Sequence, residues 1–276
     1  MPGSNARALD KARSLPADAL IMDLEDAVAP EAKSRAREQV LAALRAGGYG
    51  RRELIIRCNG HGTPWYADDL AAAAASGADA VLLPKISSAA QVRDAARRLR
   101  EHGAAPGLAL WIMAETAAGV LAIESIVRAD PALAVVVMGT SDLGRELRIE
   151  PEPARRGLQL ALSMCVLAAR AQGLDILDGV FGELADPAAF RAACEQGKAL
   201  GFDGKTLIHP AQIDVANEVF GVSPEALRRA RATLAAWEAA AARGDGIAVL
   251  DGRMIEALHA EAARRTLALA AAIEDA

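Results

Sequence analysis

Short apolar runs alternate with longer amphipathic stretches along most of this chain. The clearest runs, 108–113 and 134–138, contain no alternation of polar and apolar positions, which is how a strand buried on both faces reads. Similar runs stand at 19–24, 54–57, 80–83, 176–181 and 204–208. Helical stretches lie between them, at 5–15, from Pro30 to about 45, 68–76, 89–102, from about 119, 154–172 and 187–200. The second of these stops at Gly47-Gly48, as a helix end should. Strand and helix alternate about seven times with short connectors, which predicts a parallel sheet or a (β/α) barrel. No glycine-rich phosphate fingerprint follows the first strand, so a dinucleotide fold loses ground. The predicted class is α/β, a TIM (β/α)8-type barrel over 1–221. Beyond it, 224–243 and 254–273 read as helices joined by a glycine-containing connector, forming a C-terminal helical extension over 222–276. That tail lies outside the barrel repeat and would pack on the barrel wall, on a partner subunit or over the mouth as a lid.

The polar positions form a second pattern. Glu25 and Asp26, Arg57 and Asn59, Lys85, Glu115, Asp142, Asp178 and His209 all fall where a predicted strand runs out. In a TIM barrel that end of the strands carries the catalysis. Glu115 and Asp142 close neighbouring apolar runs, and two strands delivering one carboxylate each suit magnesium, which takes one or two carboxylates and leaves its other positions to water and substrate. Taken singly, either carboxylate reads equally as a solvated charge or a helix cap, and so do Glu25 and Asp26. Lys85 reads as a rim charge or a substrate contact, and His209, before Pro210, reads as structural. His61, His102 and His259 have no ligand spacing.

Composition narrows the function classes. The chain has 276 residues, 53% hydrophobic and 24% charged, enough to bury a large core as one barrel or two ordinary domains. Only 3% of residues are aromatic and the net charge is -5, so neither base stacking nor a basic footprint points to nucleic acid. Cys58, Cys165 and Cys194 lie far apart, form no zinc or redox spacing and suggest a reducing compartment. No signal-peptide pattern or bilayer-length apolar run is present, so a cytoplasmic protein with no membrane partner is expected.

Several motifs occur in a fixed order: DLEDAV at 23–28, IRCNG at 56–60, LPK at 83–85, AETAAGV at 114–120, GTSDL at 139–143, DGV at 178–180 and GFDGKTLIHPAQI at 201–213. Together they resemble the HpcH/HpaI aldolase and citrate lyase family, on its citrate lyase β-subunit-like branch of malyl-CoA and citramalyl-CoA lyases. The resemblance covers nearly the whole chain. It implies a TIM barrel dependent on Mg2+ (or Mn2+), homo-oligomeric as a trimer or hexamer, that cleaves a short 3-hydroxyacyl-CoA to acetyl-CoA and a 2-oxo acid. By motif position, Glu115 and Asp142 would be the metal ligands, Arg57 would hold the substrate carboxylate, and Glu25 and Asp26 would orient metal-bound water. Arg7, Lys11, Lys33 and Arg37 would lie near the CoA phosphates. The residue types suit this chemistry, because arginine's planar fork pairs with a carboxylate and a Lewis acid stabilises a developing keto oxygen. Two other readings are open: a malyl-CoA thioesterase or malate synthase, and a non-catalytic or acyl-carrier-dependent subunit of a larger complex.

Three positions depart from the family pattern. The usual opening strand is reduced to Met1-Pro2-Gly3, and seven strands cannot close an eight-stranded barrel without leaving two edges. The family segment DGKMID, whose aspartate acts as acid/base in a neighbouring subunit, here ends in Glu256, one methylene longer. Arg148 stands where glycine is usual.

Overall fold

Seven parallel strands hydrogen-bond in sequence order: β1 (Ala19–Asp23), β2 (Glu53–Arg57), β3 (Ala80–Leu83), β4 (Ala109–Ala114), β5 (Leu133–Met138), β6 (Asp175–Asp178) and β7 (Gly204–Lys205). The computed structural model describes every residue except Pro151, Pro153, Asp275 and Ala276. Helices follow the strands as the periodicity predicts, so the TIM-like α/β class is observed. Local chemistry sets their limits. In helix Pro187–Leu200, for example, Asp186 accepts from the Ala189 N–H at 2.9 Å, proline opens the first turn, and Gly201 at φ 100° closes it.

Side chains alternate across a strand with period two, and this divides the sheet into two apolar layers. Ile55, Ala80, Leu82, Trp111, Val135 and Val137 pack together on the inner face, with Ile21, Met113 and Leu177 against them. The opposite parity, including Met22, Ile56, Leu110, Ile112, Val136 and Ile176, is also buried, as expected for a sheet covered by its crossover helices. Both faces are therefore apolar, which is why the strands read as continuous runs.

Among the described residues β1 and β7 do not pair with each other, so the sheet is a curled, open half-barrel. The start of the chain lies along β1. Pro2 bridges to Asp23 in parallel, the terminal ammonium donates to the Ile21 carbonyl at 2.7 Å, and the Gly3 N–H donates to the Asp23 carbonyl at 2.7 Å. Pro2 forms an isolated bridge beside β1 and belongs to no strand of the sheet.

Asp178 shares parity with Ile176, so it faces the helix layer and not the barrel interior. It is completely buried between Arg155, whose Nη1 donates at 2.6 Å, and Lys205, whose Nζ donates at 2.8 Å. This ion cluster ties the segment after helix Thr140–Glu146 to the last two strands. Burial pushes the Lys205 ammonium below its usual pKa, against the attraction of Asp178.

Several boundaries differ from the sequence expectation. β6 ends at Asp178 and β7 covers only two residues, because the Gly-Val and Thr-Leu-Ile that follow run into loops. The chain divides into two units, Met1–Asp214 and Val215–Ala276, within helix Ile213–Phe220 and ahead of the 221/222 division expected. In the second unit, helices Pro224–Ala242 and Ala257–Glu274 flank a hairpin of β8 (Ala248–Leu250) and β9 (Arg253–Ile255) where a connector was expected. Asp251 at φ 50° and Gly252 at φ 73° form its two-residue turn, and Asp-Gly is a residue pair that favours such a turn. Ala248 and Ile255 pack on Ala240 and Trp237, so the residues after Arg253 pair as a strand before the last helix begins. No helix among the described residues is long and apolar enough to cross a membrane.

Asp178→Ala is expected to cost about 3–5 kcal/mol in urea unfolding, because it leaves two buried cations unpaired. Lys205→Met keeps the Arg155–Asp178 pair and is expected to cost less than half as much.

Candidate active site at the strand ends

The face that carries the inner apolar cluster also carries the charges at its C-terminal edge. Asp23 and Arg57 are register partners across β1 and β2, and they continue the parity of Ile21 and Ile55. The Arg57 guanidinium meets Asp23 side-on, with Nε donating to Oδ1 and Nη2 to Oδ2, both at 2.6 Å. Asp23 also accepts from the main-chain N–H groups of Glu25 at 2.8 Å and Ala27 at 3.1 Å. Burial alone would raise the Asp23 pKa, but Arg57 and these main-chain donors outweigh it and hold the carboxyl below its usual range. A guanidinium has five N–H groups, so the end-on edge between Nη1 and Nη2 still has donors to offer another anion. On that side Nη1 ion-pairs with Glu25 Oε2 at 3.3 Å, without hydrogen-bonding geometry, and donates to Met113 Sδ at 3.5 Å.

Lys85, immediately beyond β3, reaches three carboxylates. Its N–H donates to Glu115 Oε1 at 2.7 Å, and its Nζ binds Glu25 Oε1 and both oxygens of Asp26, the latter at 3.1 and 3.2 Å. Glu25 Oε2 is buried without a hydrogen-bond partner. Burial raises the Glu25 pKa despite Lys85 and Arg57. Glu115 is 2% exposed and is pushed up to about 7, first by burial and then, against the Lys85 N–H, by repulsion from Glu25 and Asp142. Gly139 makes room for it: a Cβ there would collide with Cβ and Oε2 of Glu115. Asp142 lies in the first turn of helix Thr140–Glu146, where Arg145 Nη2 donates to its Oδ1 at 2.5 Å.

The donor chemistry suits a hard divalent cation. Carboxylates crowd the mouth, one buried oxygen accepts no hydrogen bond, and Glu115 carries a repulsion that a cation would relieve. Among the described residues no group of three or more His, Cys, Asp or Glu side chains is arranged to hold a metal. Magnesium needs fewer, since water and substrate complete its shell.

The structure places Arg57, Glu25, Asp26, Glu115 and Asp142 at one end of the sheet, with Lys85 among them. A cavity of about 400 Å³ opens beside them, lined by Glu25, Asp26, Lys33, Asn59, Trp65 and Lys85 among others. The four cations expected near CoA phosphates divide into two pairs. Arg7 and Lys11 are exposed on the first helix. Lys33 and Arg37 have partners within the fold, and Lys33 also lines the cavity. The buried Lys33 amine donates to the Leu24 and Glu25 carbonyls at 3.0 Å, and Arg37 Nε donates to the fully buried Asp69 at 2.8 Å. Glu256 lies in the second unit between β9 and the last helix, with its N–H donating to His259 Nδ1 at 3.0 Å. His209 caps the turn at Pro210, accepting from the Ala211 N–H at 3.2 Å, so it is structural.

Sequence reasoning missed Asp23, although it stands in the DLEDAV motif. The signal was parity, because a charge on the inward face of an apolar strand needs a partner, and Arg57 is the residue opposite.

The sequence profile of the HpcH/HpaI aldolase/citrate lyase family matches residues 1–210. The chain is 49% identical over 273 residues to a (3S)-malyl-CoA thioesterase of Cereibacter sphaeroides, covering 99% of this chain and 93% of that one. It is 34% identical over 280 residues to an L-malyl-CoA/beta-methylmalyl-CoA lyase of the same species, covering 92% and 88%. CitE of Mycobacterium tuberculosis, solved with magnesium, acetoacetate and coenzyme A, superposes with a TM-score of 0.77 at 29% identity over 98% of this chain and 96% of that one. The greater likeness to thioesterases overturns the expectation of a carbon–carbon lyase.

The raised pKa of Glu115 gives a pH signature. In the metal-free protein the proton is held more tightly in the folded state than in the unfolded one, so this group's contribution to stability is lost as pH rises from about 4.5 to about 7. Glu115→Gln is therefore expected to be more stable than the parent in EDTA at pH 8, by on the order of 3 kcal/mol, with the gap closing by pH 5. Chemical denaturation at the two pH values measures it.

Proposed function

The chain belongs to the HpcH/HpaI aldolase/citrate lyase family, and from that premise we propose that it is a Mg2+-dependent thioesterase hydrolysing a short dicarboxylyl-CoA of the (3S)-malyl-CoA type. The observation that carries this reading is the 49% identity to (3S)-malyl-CoA thioesterases across nearly the whole chain. The strand-end geometry supports it.

The end-on edge of Arg57 takes the free carboxylate of the acyl group, while Asp23 keeps the guanidinium plane in place from the side. Glu115 and Asp142 hold Mg2+, or Mn2+ in its place. When bound, that ion polarises the acyl oxygens and offsets negative charge. Glu25 serves as general base. Lys85 holds its Oε1, so Oε2, which accepts no hydrogen bond and is ion-paired to Arg57 at 3.3 Å, takes a proton from water as the water oxygen attacks the thioester carbonyl carbon. The carbon–sulfur bond breaks and the sulfur leaves as the CoA thiolate. The raised pKa of buried Glu25 suits a base that must hold this proton and then release it. Asp26 shares the Lys85 ammonium and keeps it aimed at Glu25. Arg7 and Lys11 are the exposed cations available to CoA phosphates.

Incubation with (3S)-malyl-CoA is expected to release free thiol and malate in equal amounts. EDTA should stop the release and Mg2+ restore it. Accumulation of acetyl-CoA and glyoxylate with no malate would overturn the proposal. Glu25→Gln should lower kcat by roughly 100-fold or more with little change in KM. Arg57→Lys should lower kcat/KM by about 100-fold, because an ammonium does not reproduce the planar fork.

A further inference from the structure

Lys85 is the residue at the strand ends whose two halves reach different partners. Its backbone is left-handed, at φ 53°, a conformation uncommon for a residue with a side chain. From there its N–H donates to Glu115 Oε1 at 2.7 Å, while its ammonium extends over the mouth to Glu25 and Asp26. The carboxylates it touches come from the loops after β1 and β4, which are not neighbouring strands. Its side chain is 38% exposed and lines the cavity beside the site. Nothing packs the ammonium out of reach of solvent, so its position is set by the acids it binds.

We infer that Lys85 is a positioning residue with two separable functions: its main chain fixes Glu115 for the cation, and its side chain aims Glu25 while moderating how tightly the mouth holds that cation. The inference rests on the cation site proposed above. The electrostatics act in a definite direction. Arg57 and Lys85 are the cations in direct contact with Glu25, and Glu115 and Asp142 lie close enough for their charges to interact. The Lys85 N–H bonds Glu115 while its ammonium bonds Glu25 and Asp26, so its charge stands among the carboxylates where the cation would sit. Removing a positive charge from this position strengthens the pull on a divalent ion. Removing it also releases Glu25 Oε1, so the base loses its fixed aim. A rim charge without function would produce neither effect, and a merely structural residue would weaken binding when lost.

The test uses Lys85→Gly, which favours the left-handed backbone and keeps the N–H, and Lys85→Met, which keeps side-chain length without charge. Mn2+ binding followed by electron paramagnetic resonance is expected to tighten about fivefold or more in both variants relative to the parent. Turnover of (3S)-malyl-CoA is expected to fall about 100-fold in kcat with KM nearly unchanged. Lys85→Arg, which restores a cation, is expected to bring Mn2+ affinity back toward that of the parent. Unchanged or weaker Mn2+ binding in both charge-removed variants, or undiminished turnover, overturns the assignment. If the parent itself fails to hydrolyse malyl-CoA, the proposed function fails, and the Mn2+ titration still decides the role of Lys85.

Discussion

Negative charge held together at the mouth of an apolar barrel is the constraint on which this structure depends. Asp23, Glu25 and Glu115 are buried, and Asp26 and Asp142 stand beside them. Taking one carboxylate out of water costs several kcal/mol unless it is paired and hydrogen-bonded. The fold answers with Arg57 against Asp23 and Lys85 against Glu25 and Asp26, and with main-chain donors for Asp23 and Glu115. Among these acids, an oxygen of Glu25 still accepts no hydrogen bond, and Glu115 keeps a raised proton affinity. That residual demand gives the site its chemistry, and each element around it serves to hold the acids in position.

The fold was legible because strands buried on both faces leave a strong, unmixed apolar signal, and every one of the seven appears in the sheet. Strand-end polar residues were legible for the same reason, since they interrupt apolar runs. Parity was not used, and it distinguishes Asp23, which faces inward to Arg57, from Asp178, which faces the helices and locks them. The partners of Lys33 and Arg37 were not legible, because burial of a basic residue leaves no mark in the sequence. The carbonyls and the carboxylate that receive them are distant in the chain or belong to the backbone. The hairpin at Asp251-Gly252 was masked by the helical composition around it, although the turn pair itself was visible.

The distinction between hydrolysis and carbon–carbon cleavage lay below the resolution of motifs for a chemical reason. In the reading proposed above, an arginine for the acid and a pair of carboxylates for a cation suit either reaction of a malyl thioester. The outcome depends on what meets the carbonyl carbon, and that is set by the placement of side chains such as Glu25 and Lys85. Placement emerges only when loops from separate strands are assembled.

The close approach of Gly139 to Glu115 reaches beyond this one chain. The carboxylate occupies the volume that any side chain at 139 would fill, so the two positions behave as a single mutational unit. A drift to alanine at 139 is tolerable only after the acid at 115 has shortened or moved, and an evolving lineage must cross that step in a fixed order. Laboratory evolution toward a different cation or acyl group can therefore vary position 115 while Gly139 stays, but reaches side chains at 139 only in backgrounds where Glu115 has already changed.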